Sequence, residues 1–172
     1  YRNSDISPYF VYTPEDQKIF LIYITKSNKI ENFPNIKMHL ERYREILQRR
    51  REVREDKIPW YSLHWPREEQ LFEISKIVCS NWGNDWQPFA FQEKGFYERR
   101  DITFFIPKSE IKESILYFLG ILNSSLIRKW SKEKLKQKGY MRQEFQYLIS
   151  RLTFDYSDYE EVKAHDEIVD KV

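Results

Sequence analysis

Lys76-Ile77-Val78-Cys79-Ser80-Asn81-Trp82-Gly83-Asn84-Asp85-Trp86-Gln87-Pro88-Phe89-Ala90-Phe91-Gln92 reads as a strand, a polar loop and a second strand. The two runs are short and mostly apolar, and the loop between them is built from turn-forming residues. Downstream, Asp101–Ile106 reads as another strand, closed by Pro107. Upstream, Lys18–Thr25 is an almost continuous β-branched and aromatic run, the pattern of a strand buried on both faces. Two long helices accompany these strands. The first spans Asn35 to about Glu55, with Ile36, Leu40, Tyr43 and Leu47 recurring at three and four and Pro34 at its start. The second spans Ser114 to about Lys136, with Ile115, Leu119, Leu122, Leu126, Ile127 and Trp130 on its apolar face and Gly139 as its stop. From Ser157 onward, Tyr159, Val162, Ile168, Val169 and Val172 predict a short acidic helix, with Ser157 and Glu160 spaced as a capping box. The expectation is an α+β fold with a mixed or mostly antiparallel sheet and two long helices.

A chain of 172 residues is long enough for one domain with its own core. The net charge of +2 conceals an asymmetry. Residues 1–154 hold 27 basic and 20 acidic side chains, whereas residues 155–172 hold 2 and 7. The division expected is therefore a basic body, 1–154, and an acidic helical tail, 155–172. No apolar run approaches membrane-spanning length, so no membrane is expected among its partners. There is no basic-then-apolar leader, and the single cysteine, Cys79, fits a reducing compartment, so a cytoplasmic protein is expected. The start at Tyr1 rather than Met leads to the expectation of a piece of a longer polypeptide.

Four regions carry residues suited to nucleic acid. Eight Lys or Arg lie between Lys37 and Lys57, including Arg49-Arg50-Arg51, which are natural phosphate and guanine ligands. The bland alternative is a solvated face of pairs such as Glu41–Glu45–Arg49. Pro59-Trp60-Tyr61-Ser62-Leu63-His64-Trp65-Pro66-Arg67 packs aromatic faces beside a guanidinium; Trp60 and Leu63 suit a core, while Tyr61, His64 and Arg67 suit a ligand. In the loop after Ser80, Asn81, Asn84 and Asp85 can read base edges and Trp86 can stack, although any turn holds such residues. Finally, residues 128–142 carry seven basic side chains against one acidic, and run into Lys138, Tyr140, Arg142 and Gln143. A lysine-covered solvent face is the alternative there.

Catalytic patterns are missing. No Pro-Pro dipeptide and only 4 scattered Gly exclude an amino-methyltransferase active-site motif and its cofactor loop. Asp16-Gln17-Lys18, Glu110-Ile111-Lys112 and Glu161-Val162-Lys163 match half of a metal-dependent nuclease motif, but no Pro-Asp precedes them. His39, His64, His165 and Cys79 lack metal-ligand spacing. This chain by itself is not expected to be an enzyme, to hold a metal or to bind a cofactor.

From about Pro8 to Leu152 the chain resembles the TaqI-like C-terminal specificity domain. The resemblance rests on Pro8-Tyr9-Phe10, Asn32-Phe33-Pro34-Asn35-Ile36, Pro59 to Arg67, and Phe72 with Lys76-Ile77-Val78. It continues through Phe105-Ile106-Pro107 and Leu119-Gly120-Ile121-Leu122-Asn123-Ser124-Ser125-Leu126-Ile127. Two blocks depart from the family pattern: Lys138 to Phe145 holds one Gly where the family is Gly-rich, and Leu152-Thr153-Phe154 replaces Leu-Pro-Ile. The resemblance implies the DNA target-recognition domain of an adenine-N6 restriction–modification enzyme. Its partners would be double-stranded DNA and an N-terminal methyltransferase, with or without a nuclease, in the same polypeptide or complex. S-adenosylmethionine and Mg2+ would then belong to that parent enzyme. Loops around 28–33, 61–67, 80–87 and 138–144 would face DNA, with Arg49–Arg51 as phosphate clamps. Two alternatives remain open: an RNA or single-strand binder that stacks bases on its aromatics, and a protein-interaction domain without sequence-specific binding.

Overall fold

The computed structural model describes residues 5–12, 20–80, 88–95, 97, 102–134 and 154–172. The chain divides into two compact units, residues 1–17 with 72–172, and residues 18–71.

The first unit is built on a four-stranded sheet of β1 (Tyr9–Phe10), β2 (Lys76–Ser80), β3 (Phe89–Gln92) and β4 (Ile102–Phe105), in the order β1-β3-β2-β4. The pairings of β2 with β3 and with β4 are antiparallel, while β1 runs parallel to β3. The sheet is therefore mixed, and the expected α+β class holds. Alternation assigns its two faces. Ile77, Cys79, Phe89, Phe91 and Phe105 pack with Leu119, Leu122 and Ile127 of the helices. Val78, Ala90, Ile102 and Phe104 pack with Ile6 and Val11 on the other side. Covered on both faces, every residue of β2 is buried, Lys76 included.

The second predicted helix is two helices, α4 (Ile115–Asn123) and α5 (Ser125–Lys134). Ser124 adopts an extended ψ of 153° between them, and its hydroxyl accepts the N–H of Ile127, so a serine cap interrupts what periodicity reads as continuous. As a result Leu126, expected on the apolar face, is exposed. Ser114 caps α4 by accepting the N–H of Leu116. Asn123, the last residue of α4, uses its amide to pair with both the N–H and the C=O of Phe89, a residue that β1 does not reach.

The acidic helix α6 spans Tyr159–Lys171. Its cap falls one residue later than expected: Asp158 accepts from Glu160 and Glu161, whereas Ser157 donates to the Asp155 carboxylate. This helix lies against α4 at Gly120, where a Cβ would stand 2.5 Å from Ile168 Cγ2. The Ser114 N–H also donates to His165 Nε2.

The second unit contains α1 (Pro34–Glu41), α2 (Arg44–Gln48) and α3 (Arg51–Arg54), preceded by a 3-10 turn at Ile30–Asn32. Pro34 opens α1 as expected, but the predicted long helix is broken twice. Tyr43 leaves helical geometry at φ −114°, ψ 8°, and Arg50 is extended at φ −60°, ψ 137°. The strand expected over Lys18–Thr25 is not present among the described residues 20–25. Only Ile24 is buried there, and Phe20 is 91% exposed. The backbone groups of this segment find local partners instead of a ladder: the Ile24 carbonyl accepts the Leu63 N–H, and the Thr25 N–H donates to the Asn28 side chain. Among the described residues no helix is long and apolar enough to cross a membrane.

Candidate nucleic-acid interface

Within the second unit, Arg50 organises the aromatic segment. Its guanidinium donates to the carbonyls of Leu47, Ser62 and Trp60, at 3.1, 2.9 and 2.5 Å. A planar guanidinium spreads its donors over a fork wide enough to meet three separate carbonyls, a geometry that the compact ammonium of lysine does not reproduce. Burial lowers the guanidinium's pKa, and neighbouring Glu52 acts the other way. The extended backbone at Arg50, which ends the helical run, is what lets this side chain enter the turn.

The segment held by Arg50 is fixed from several further directions. The Arg44 guanidinium lies over the Trp60 ring at 4.9 Å, and Ser62 is buried with its hydroxyl donating to the Pro59 carbonyl. Tyr61 donates its hydroxyl proton to the Asn28 carbonyl, and Leu63 its N–H to Ile24. Tyr23 donates to the Arg67 carbonyl; burial raises the pKa of this phenol, with Glu69 and Glu68 adding to the effect.

Charged groups continue the surface. His64 Nε2 sits 3.2 Å from the Glu52 carboxylate, which also takes the Arg51 guanidinium at 3.0 Å. Glu52's own backbone N–H, against partial desolvation, and then His64 and Arg51 hold its carboxyl below the usual range. Arg51 also reaches Glu55, at 3.9 Å. Arg42, Arg49 and Arg54 are exposed and form no ion pair among the described residues.

The three adjacent arginines thus occupy three different settings: Arg49 is open to solvent, Arg50 is committed to backbone carbonyls, and Arg51 is paired with carboxylates. Tyr61, His64 and Arg67 fall together on the turn that Arg50 holds, Tyr61 and Arg67 half-buried and His64 exposed. Asn81, Asn84, Asp85, Trp86, Lys138, Tyr140, Arg142 and Gln143 lie outside the described residues. One residue of the turn escaped the sequence reading. Trp65 is 78% exposed, with a left-handed backbone at φ 55°. Its signal was position: the apolar needs of the segment are met by Trp60 and Leu63, which leaves a second Trp, before a proline, without a core to fill.

Among the described residues no group of three His, Cys, Asp or Glu side chains could hold a metal ion. Of the described glycines, Gly95 lies in a turn at φ 86°, and Gly120 is inside α4 against Ile168.

The family model of the TaqI-like C-terminal specificity domain matches residues 1–152. The chain is 27% identical over 165 residues to the type II methyltransferase M.HindII of Haemophilus influenzae, across 90% of this chain and 32% of that protein. To the type II methyltransferase M.HincII of Haemophilus influenzae it is 26% identical over the same extent. It spans about a third of the length of these relatives.

Proposed function

The chain belongs to the TaqI-like C-terminal specificity domain family, and from that membership we propose that it reads the sequence of double-stranded DNA for a separate methyltransferase domain. The observation that carries the reading is the family match over residues 1–152, joined to relatives named as type II methyltransferases of which this chain resembles only a third. The partner domain would hold S-adenosylmethionine and an extrahelical adenine, while this chain grips and reads the duplex. A cytoplasmic location goes with that role, and the free, buried thiol of Cys79 suits a reducing compartment.

Physical chemistry supports this division of labour. Exposed Arg42, Arg49 and Arg54 can meet phosphates at little desolvation cost, supplying a salt-dependent, sequence-independent grip. The turn 60–67 is pre-ordered by Arg50, so its exposed groups lose little freedom when they meet a base edge. Phe20, Leu21, Met38 and Ile46 are exposed on the same unit and favour a second role, contact with the remainder of the longer polypeptide.

The test is selection from randomised duplex DNA at low salt. An enriched motif is the expected result, and substituting Arg67 or Asn84 should then change the motif and not merely weaken binding. Absence of any enriched sequence, with single strands competing as well as duplex, would remove the basis for the reading.

A further inference from the structure

We propose that Trp65 is a DNA-contacting residue, an apolar wedge that packs against a base step of the duplex while neighbouring arginines hold the phosphates. This inference rests on the duplex-recognition reading above and adds to it a residue and a contact type.

The first observation is conformational. Trp65 has φ 55°, a region that residues bearing a Cβ seldom occupy, and it precedes Pro66, a position that ordinarily requires extended backbone. Two preferences are overridden at one residue, and the ring gains no core by it, being 78% exposed. Strain of this kind persists only where the surroundings over-determine the backbone. Here they do: the carbonyls of Trp60 and Ser62 are held by Arg50, Tyr61 is tied to Asn28, and Leu63 is tied to Ile24. The turn is tied down by hydrogen bonds up to Leu63, and two residues later it projects an indole into solvent.

The second observation is chemical. The indole stands edge-on to His64 at 5.7 Å, His64 meets Glu52 at 3.2 Å, and Glu52 meets Arg51 at 3.0 Å. One chain of contacts therefore joins an exposed ring to a guanidinium, and Arg49, two residues before Arg51, carries an exposed charge that meets no carboxylate among the described residues. The residues following the ring are Pro66, Arg67, Glu68 and Glu69, so its sequence neighbours do not extend an apolar patch suited to a protein partner. An exposed aromatic on an anchored turn, with the exposed charge of Arg49 on the same unit, matches a polyanion whose interior is aromatic, where apolar side chains unstack a step and cations hold the backbone.

The experiment measures binding of the 172-residue chain to a fluorescein-labelled random-sequence duplex of about 30 base pairs, by anisotropy across a salt series. Trp65→Ala should weaken binding between about five-fold and a hundred-fold, the range for one lost aromatic stack, and Trp65→Phe should recover most of it. The slope of log Kd against log salt should stay unchanged, because an indole releases no counterions. Trp65→Asn, a residue at ease at positive φ, should keep or raise the thermal midpoint and yet bind as weakly as the Ala variant. Ala and wild-type chains binding alike would overturn the role of Trp65 and leave duplex recognition standing. So would an altered salt slope, or an Asn variant that no longer unfolds cooperatively. A wild-type chain that fails to bind this duplex overturns both readings.

Discussion

Arg49, Arg50 and Arg51 look equivalent in sequence, and their different fates are set by one dihedral. Because Arg50 leaves the helix at ψ 137°, its side chain turns into the 60–62 carbonyls, away from the solvent that Arg49 and Arg51 face. No pattern of charge or period encodes that, since the carbonyls it binds are brought near by a turn ten residues on. Arg50→Ala should therefore act on folding: losing three charge-assisted bonds and stranding carbonyls costs about 2–4 kcal/mol. Arg50→Lys should recover only part, since an ammonium cannot reproduce the fork. Urea unfolding followed by Trp fluorescence measures both. Glu52 offers a pH test. Its carboxyl is held below the usual range, so the stability it contributes is complete above the ordinary glutamate pKa of about 4.3 and is lost as pH falls through the lower folded value. Thermal midpoints measured from pH 7 down to 3 should fall less steeply at the acid end for Glu52→Gln than for the native chain.

At the level of elements, β2 and β3 were legible, β1 was not, and the helices were only half so. Lys76–Ser80 and Phe89–Gln92 match the structure residue for residue because each is a compact apolar run between breakers. Both helical readings missed internal stops, since Ser124 and Arg50 end helices through their own hydrogen bonds while periodicity continues past them. The apolar run 18–25 misled in the opposite way: composition promised a strand, but Ile24 and Thr25 spend their backbone groups on Leu63 and Asn28. At the aromatic turn, the segment was legible as a site, whereas its anchoring by Asn28 and Arg50 rests on contacts that no spacing reveals. Gly120 gives the sharpest test of packing. Gly120→Ala gains about 1 kcal/mol of helix propensity, but the new methyl meets Ile168 at 2.5 Å and Val172 at 3.1 Å. Overpacking of about 1–3 kcal/mol should outweigh the gain, lowering the thermal midpoint and speeding amide exchange in α6. Adding Ile168→Ala should restore much of both.

For the whole molecule, the acidic helix has opposed effects. Removing residues 155–172 takes the net charge from +2 to +7. At low salt, nonspecific duplex binding should tighten, with the difference fading as salt rises. The same truncation uncovers the α4 face around Gly120, so the shortened chain should melt at a lower temperature; anisotropy and calorimetry read the two effects separately. The charge asymmetry was plain from the sequence, but that the acidic segment also completes a core was not, because Ile168 and Val172 look like the apolar stripe of any short helix. The division into two units was likewise hidden, since no Gly- or Ser-rich linker marks residues 18 or 71. Yet the register makes the division simple to live with. Phe10 stands opposite Phe91, and Phe91 opposite Ile77, with β1 and β2 running in opposite directions. The chain consequently departs from β1 and re-enters at β2 on one end of the sheet, two strand spacings or about 10 Å apart. Residues 18–71 can thus change in length or sequence without altering the pairing of β1, β2 and β3, so tolerance to insertion is expected within this span.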